Sequence, residues 1–226
     1  MKIKRATPTP TPTPVATYPQ VSAKLLGEVL SQCLRFVSGE QQSALAGVLL
    51  ALSDDGITLC ATDGVCLLEA KIGQQTGEVL ASGVLAADSA RTLSKACSGA
   101  VKQGEKDKRG EVLTKLAVDS DGELIASVAD APVVKLKLIP GVTFPNYDRL
   151  FVEKDPQKLA QYYNAEKMAS LLSAIATLLP SESQGISFRS LGEESPAVIE
   201  ALNPGLGYAV RAVIAPIRPP KDKKLQ

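Results

Sequence analysis

The sequence predicts an α+β fold in which a βαβββ unit is written three times, and three observations carry that prediction. Three stretches place apolar residues at steps of three and four, the spacing of one helix face. Each is followed by short strand-like runs separated by turn residues, and each is preceded by one further strand candidate. The pattern returns at a period of about 70 residues, which marks a repeated supersecondary unit.

Ahead of the repeats, Thr7-Pro8 through Thr13-Pro14 is a run of four Thr-Pro pairs. Proline fixes φ and removes a backbone donor, so residues 1–15 read as a disordered tether in which the Thr7–Pro14 repeat is extended, roughly 25 Å long at ~3.1 Å per residue. In the first unit a strand near Tyr18 precedes a helix with Leu25, Leu26, Val29, Leu30, Cys33 and Phe36 on one face. Strands follow between residues 44 and 72. Ile57, Leu59 and Ala61 alternate there with Thr58 and Cys60, the period of a half-buried strand. Asp55-Gly56 and Asp63-Gly64 supply turn chemistry, because glycine has no Cβ and aspartate tolerates the left-handed region.

The second unit has a strand at Val79–Leu85, then a helix expected to start at Asp88 as its N-cap, with Ala90, Leu93 and Cys97 inward. Its strands are expected at Val112–Asp119, Glu123–Val128 and Pro132–Ile139. In the third unit Lys158–Tyr163 leads to a helix capped by Asn164, whose stripe is Met168, Leu171, Leu172, Ile175, Leu178 and Leu179. Gly185–Ser190, Pro196–Leu202 and Tyr208–Ile217 follow as strands. Two such units are expected to bury both helices against a shared sheet. Residues 16–152 then form one complete domain, residues 153–219 a half-domain, and residues 220–226 a tail with Lys221, Lys223 and Lys224. The lone half-domain has an open strand edge and a bare stripe, so a second copy is expected to cover Leu171, Leu172 and Ile175.

Composition narrows the function classes. An apolar share of 45% builds a core, and with 4% aromatics and no Trp that core is aliphatic. Lys and Arg (25) nearly cancel Asp and Glu (24), so any basic surface is local. The chain has no His, which removes the commonest general base and metal ligand, and no Gly-rich phosphate loop, so no catalytic residue, metal or cofactor is expected. Asp119-Ser120-Asp121-Gly122-Glu123 lacks the later ligands of a calcium loop and reads better as a hairpin turn. Cys33, Cys60, Cys66 and Cys97 have no CxxC spacing and sit in apolar patterns, as buried free thiols of a reducing cytoplasm would; a disulfide pairing in a secreted protein is the alternative. No apolar run is long enough for a membrane helix, and the basic start Met1–Arg5 lacks a signal peptide's apolar segment.

Three motifs go further: Ala61-Thr62-Asp63-Gly64-Val65-Cys66-Leu67, Phe144-Pro145-Asn146-Tyr147-Asp148-Arg149-Leu150, and Val213-Ile214-Ala215-Pro216-Ile217-Arg218. In this order they resemble the bacterial DNA polymerase III β sliding-clamp family, over roughly residues 17–219. The resemblance implies a DNA-clamp fold shortened by its first domain and half of its last. It also implies an apolar cleft for short peptide motifs of polymerases and other partners. Carried across by position, the cleft is walled by Leu45, Thr62, Gly64, Leu67, Pro145, Arg149, Leu150, Pro196, Val213, Ile214, Ala215, Pro216, Ile217 and Arg218. The family commonly has His-Arg where this chain has Val65-Cys66, and often Met where it has Ala215. Those departures imply a more apolar, less basic and wider cleft.

Clamps face double-stranded DNA, without reading sequence, through the outer sides of their helices. Here those sides carry Lys24, Glu28, Arg35, Asp88, Arg91, Lys95, Glu166 and Lys167, and Lys24, Arg35, Arg91, Lys95 and Lys167 are the expected DNA contacts. Lys102, Lys106, Lys108 and Arg109 add a basic loop after the second helix. The resemblance implies a processivity factor that encircles DNA as an oligomer. A ring of twelve βαβββ units needs four copies of a three-unit chain. The alternative is a peptide-binding or clamp-capping module that does not encircle DNA.

Overall fold

The computed structural model describes residues 14–17, 20–39, 43–73, 78–108, 110–119, 123–129, 133–151, 161–180, 185–190, 192, 195–201 and 207–217. Most of the Thr-Pro run, Arg109, Arg218 and the basic tail lie outside them. The chain order is β1 (Pro14–Thr17), β2 (Val21–Ser22), α1 (Ala23–Cys33), β3 (Gly47–Ser53), β4 (Gly56–Thr62), β5 (Cys66–Gly73) and β6 (Val79–Ala86). It continues with α2 (Ala87–Lys106), β7 (Leu113–Asp119), β8 (Leu124–Val128), β9 (Val134–Leu136), α3 (Ala165–Leu178), β10 (Ile186–Ser190), β11 (Ala197–Ala201) and β12 (Tyr208–Ile214). The first two βαβββ units are present, and the third shows α3 followed by β10, β11 and β12. In place of the strand expected at Lys158–Tyr163 the described residues show a single bridge between Tyr162 and Ile217, and 152–160 lie outside them. The first strand begins at Pro14, two residues ahead of the expected boundary.

The strands form two sheets, where the repeat pattern predicts one shared sheet. One runs β1-β7-β8-β9 with β2 also on β7; the other runs β10-β11-β12-β5-β4-β3-β6. The units are joined by exchanging the strand that precedes each helix. β2, ahead of α1, pairs with β7 of the second unit, and β6, ahead of α2, pairs with β3 of the first. Both helices then contact both sheets, and side chains of all these elements merge into one core. The helices meet closely at Gly27, where an added Cβ would lie 3.0 Å from Cys97 Cβ; Ser94 Oγ also donates to the Gly27 carbonyl (2.8 Å). A larger residue at 27 would push the helices apart.

The third unit is not left bare. β12 lies antiparallel to β5 over Tyr208–Ile214, so β10-β11-β12 extend the first unit's sheet. α3 packs on α1, β5 and β12, and Leu171, Ala174, Ile175 and Leu178 are buried within the chain. This corrects the expectation that a second copy covers Leu171 and Ile175: burying the stripe against its own chain satisfies it without one. What stays open is the edge of the sheet. Ile186 and Phe188 on β10 are 39% and 47% exposed, beside Ala201 and the core residue Ile199.

Helix ends show where local chemistry decides. Asn164 caps α3, its Oδ1 accepting the Lys167 N–H at 3.0 Å. Asp88 is not a cap: α2 starts at Ala87 after Ala86, and Asp88 sits in the first turn, where a carboxylate still favours the positive helix end. α2 also runs to Lys106, so Lys102 and Lys106 project from a helix rather than a loop.

Candidate functional site

The alternation along β4 sorts the seven-stranded sheet into two faces. Ile57, Leu59 and Ala61 join the core beneath the helices. The opposite face carries Cys60, Leu67, Val84, Val198 and Val213, capped by Phe144, Tyr147, Leu150 and Phe151 of the segment after the second unit. Thr62, Leu67, Val213 and Val198 form one cross-strand row on this face, through the pairs Thr62–Leu67, Leu67–Val213 and Val198–Val213. Residues from all three motifs, about 150 positions apart in sequence from first to last, therefore meet at one junction.

Beside that row runs a chain of alternating charge. Glu69 is 1% exposed and receives two bonds from Arg211, Nε to Oε1 at 2.8 Å and Nη2 to Oε2 at 3.0 Å, with Lys71 Nζ at 3.8 Å. The Arg211 guanidinium also covers the Phe151 ring at 3.9 Å, and Arg189 binds Glu200 at 2.7 Å. Burial first, and then the Glu69 carboxylate, push the Tyr147 phenol well above its ordinary value. Burial likewise holds the Cys60 thiol up, Cys33 at about 12 and Cys66 at about 11, so these thiols are protonated and inert near neutrality. All four cysteines are free and buried.

At the rim, the β4–β5 turn is held by its own side chains. Thr62 Oγ1 donates to the Cys66 carbonyl (2.7 Å) and accepts the Gly64 N–H (3.1 Å). Gly64 has φ +87°, which suits a residue without Cβ. Asp63 Oδ1 accepts the N–H groups of Val65 (3.0 Å) and Cys66 (2.8 Å), and its other oxygen pairs with Lys167 of α3. Burial alone would raise the Asp63 carboxyl. Those N–H groups and the ammonium outweigh it and hold the carboxyl below its ordinary 3.8.

The expected wall residues divide as follows. Thr62, Gly64, Leu67, Leu150 and Val213 belong to the junction, and Ala215 joins it by donating its N–H to the Val65 carbonyl (2.9 Å). Pro145, Arg149 and Ile217 are exposed, Pro196 and Pro216 half-buried. Pro196 precedes Ala197, the partner of Ile214. Ile214 is fully buried in the core beneath the helices, on the other face from Val213. Leu45 bonds its carbonyl to Ser38 N–H (2.8 Å) and is not part of the apolar cluster at the junction. Arg218 lies outside the described residues. Val65, 39% exposed, and Ile217, 43% exposed, leave apolar surface at the rim.

No family model matches the chain, and no curated protein matches it. Solved structures do. The DNA polymerase III β subunit of Thermotoga maritima superposes with a TM-score of 0.68 at 16% identity, covering 94% of this chain and 68% of that one. A DNA polymerase sliding clamp from Pseudomonas aeruginosa gives 0.67 at 10% identity, over 94% and 69%. The β subunit of the Streptococcus pyogenes DNA polymerase gives 0.63 at 13%, over 95% and 68%. The chain has the sliding-clamp fold. It spans about two thirds of the length of these clamps.

On the helix side of this clamp fold, the expected basic residues are not equivalent. Lys24, Arg35, Arg91 and Lys95 are exposed. Arg91 is paired with Asp88 at 2.6 Å, and Lys167 with Asp63. Arg35 donates to Gln32 Oε1 (2.9 Å) and Ser170 Oγ (3.0 Å), both neutral. The outer face of α3 is otherwise Ala165, Glu166, Ala169, Ser173, Ala176 and Thr177, so the surplus of positive charge lies on α2 and on Arg35 in the turn after α1. Among the described residues no group of three or more His, Cys, Asp or Glu is placed to hold a metal, and no helix is long and apolar enough to cross a membrane. Sequence reasoning missed the aromatic cap. The signal was present: Phe144, Tyr147 and Phe151 crowd three of the chain's few rings into one short segment.

Proposed function

We propose that this chain is a clamp-type processivity factor, a scaffold that holds partner proteins by short peptide motifs at the junction and faces double-stranded DNA with its helices. The observation that carries the reading is the meeting of the three motifs on one face of the seven-stranded sheet, with Val65, Pro216 and Ile217 left accessible at the rim. An apolar rim of this kind desolvates Leu or Phe anchors of a peptide, and exposed Arg149 is available to its polar part. Encirclement needs several copies, and four chains supply twelve units. Sheet edges rather than the α3 stripe would then join them: β10 at one end of the seven-stranded sheet, and at the other β6, where Val79 and Leu80 are more than half exposed.

A second reading has its own support. Because α3 is already buried on α1, a single chain presents the whole junction, as a peptide-binding or clamp-capping module would. Titration with a peptide carrying a polymerase-type clamp motif tests what the two readings share. Micromolar-scale binding is expected, weakened by at least ~1 kcal/mol in Leu67→Ala or Ile217→Ala if that residue is an anchor. No binding to the wild type, or no loss in either variant, rejects the site. Solution mass separates the readings: a closed multimer supports the clamp, a monomer the module.

A further inference from the structure

The Asp63–Lys167 pair joins the two sides of the molecule. Lys167 lies in the first turn of α3, yet its ammonium leaves the helix for the carboxylate at the centre of the β4–β5 turn. That carboxylate also fixes the N–H groups of Val65 and Cys66, and Val65 in turn receives Ala215 at the rim. The Lys167 side chain remains 44% exposed. Beside it, Ser170 stands three residues along α3 and holds the Arg35 guanidinium, which donates to neutral groups. An anion drawn to Arg35 therefore meets Lys167 next, where it competes with Asp63 for a flexible ammonium.

Resting on the function proposed above, we infer that this pair links the two interfaces: a polyanion along the helix side draws Lys167 from Asp63 and loosens the peptide-binding turn. Asp63 is 14% exposed in its side chain, and among the described residues its carboxylate keeps two N–H partners when the ammonium leaves. It then turns toward water, and the turn loses preorganisation for the peptide. Linkage makes the effect reciprocal: a peptide that fixes the turn keeps Lys167 on Asp63 and weakens the hold on DNA.

The test uses the full chain and a short random-sequence duplex, with occupancy followed by fluorescence anisotropy. Amide hydrogen exchange is read at Val65 and Cys66, with β8 of the other sheet as internal reference, and peptide affinity is measured alongside. In the wild type, saturating duplex should speed exchange at both amides several-fold and weaken the peptide several-fold, while β8 is unchanged. Lys167→Met should show the faster exchange without duplex and no further response to it. Lys167→Arg should restore the response. A purely structural ion pair would change exchange in Lys167→Met but give no response to duplex in the wild type. Bound duplex with unchanged amides and unchanged peptide affinity overturns the link and leaves the proposed function standing. A wild type that binds neither duplex at low salt nor peptide overturns that function, and the link with it.

Discussion

Glu69 is a buried carboxylate whose closest cation comes from across a strand boundary, with Lys71 of its own strand farther off. Its partner Arg211 belongs to the third unit, so this pair ties β12 to β5 in register, directly opposite one another. Removing one partner of a buried pair leaves an uncompensated charge, whereas removing both costs much less. Arg211→Met should therefore destabilise the chain by about 3 kcal/mol, and Glu69→Leu combined with Arg211→Met should recover most of it. Urea unfolding with an unchanged slope measures both; a loss below about 1 kcal/mol in the single variant would show that Glu69 does not depend on Arg211. Single residues also mark what is legible in sequence. The Ile57, Leu59, Ala61 alternation assigns the helix-side face because side chains in a strand must alternate. But β4 is not the half-buried strand expected: all seven of its residues are buried, and Cys60 joins the cluster under the aromatic cap. Asp88 is misplaced by sequence reasoning because aspartate suits both the N-cap and the first turn, and a shift of one or two residues leaves no trace in composition. Lys167 is expected from its helix position to face DNA, but its partner Asp63 lies 104 positions away, beyond any local pattern.

At the scale of elements, sequence shows which faces are apolar but not what covers them. The α3 stripe is real, yet whether Leu171 and Ile175 meet another copy or α1 and β12 is a long-range matter that periodicity does not encode. The same holds for the sheets: each strand is placed by its own pattern, while the exchange of β2 and β6 between units depends on pairing between distant segments. Two substitutions separate an internal face from an edge. Leu171 is fully buried, so Leu171→Ala should cost about 3 kcal/mol through weakened packing and a cavity. Phe188→Lys, on the exposed edge, should cost about 1 kcal/mol through its edge-to-face contact with Tyr163, well short of Leu171→Ala, and reduce any self-association, since charge on an edge strand opposes strand pairing. Unfolding curves and light scattering are read together. A Phe188→Lys protein that keeps a multimeric mass would move the assembly surface away from β10.

For the whole molecule the decisive quantity is charge seen by a duplex. One chain offers little: the net charge is +1, Arg91 is tied to Asp88, and Lys167 is tied to Asp63. Of the expected DNA contacts, Lys24, Arg35 and Lys95 are exposed with no carboxylate partner among the described residues. Retention on DNA by one copy should then be weak, whereas a topologically closed assembly holds by linkage and needs only diffuse attraction. Lys95→Glu should weaken association and flatten its salt dependence more than Arg91→Glu, because Arg91 is already partly neutralised. Every cation withdrawn from a phosphate should lower the slope of log K against log salt by about one. The comparison that decides encirclement is between a closed circle and a short linear duplex of equal sequence content. A ring slides off an end but not off a circle, so retention on the circle should persist in salt that removes the linear duplex. Equal retention on both, with the salt slope of a single chain, would leave the peptide-binding module as the better account and make the β6 and β10 edges surfaces for some other partner.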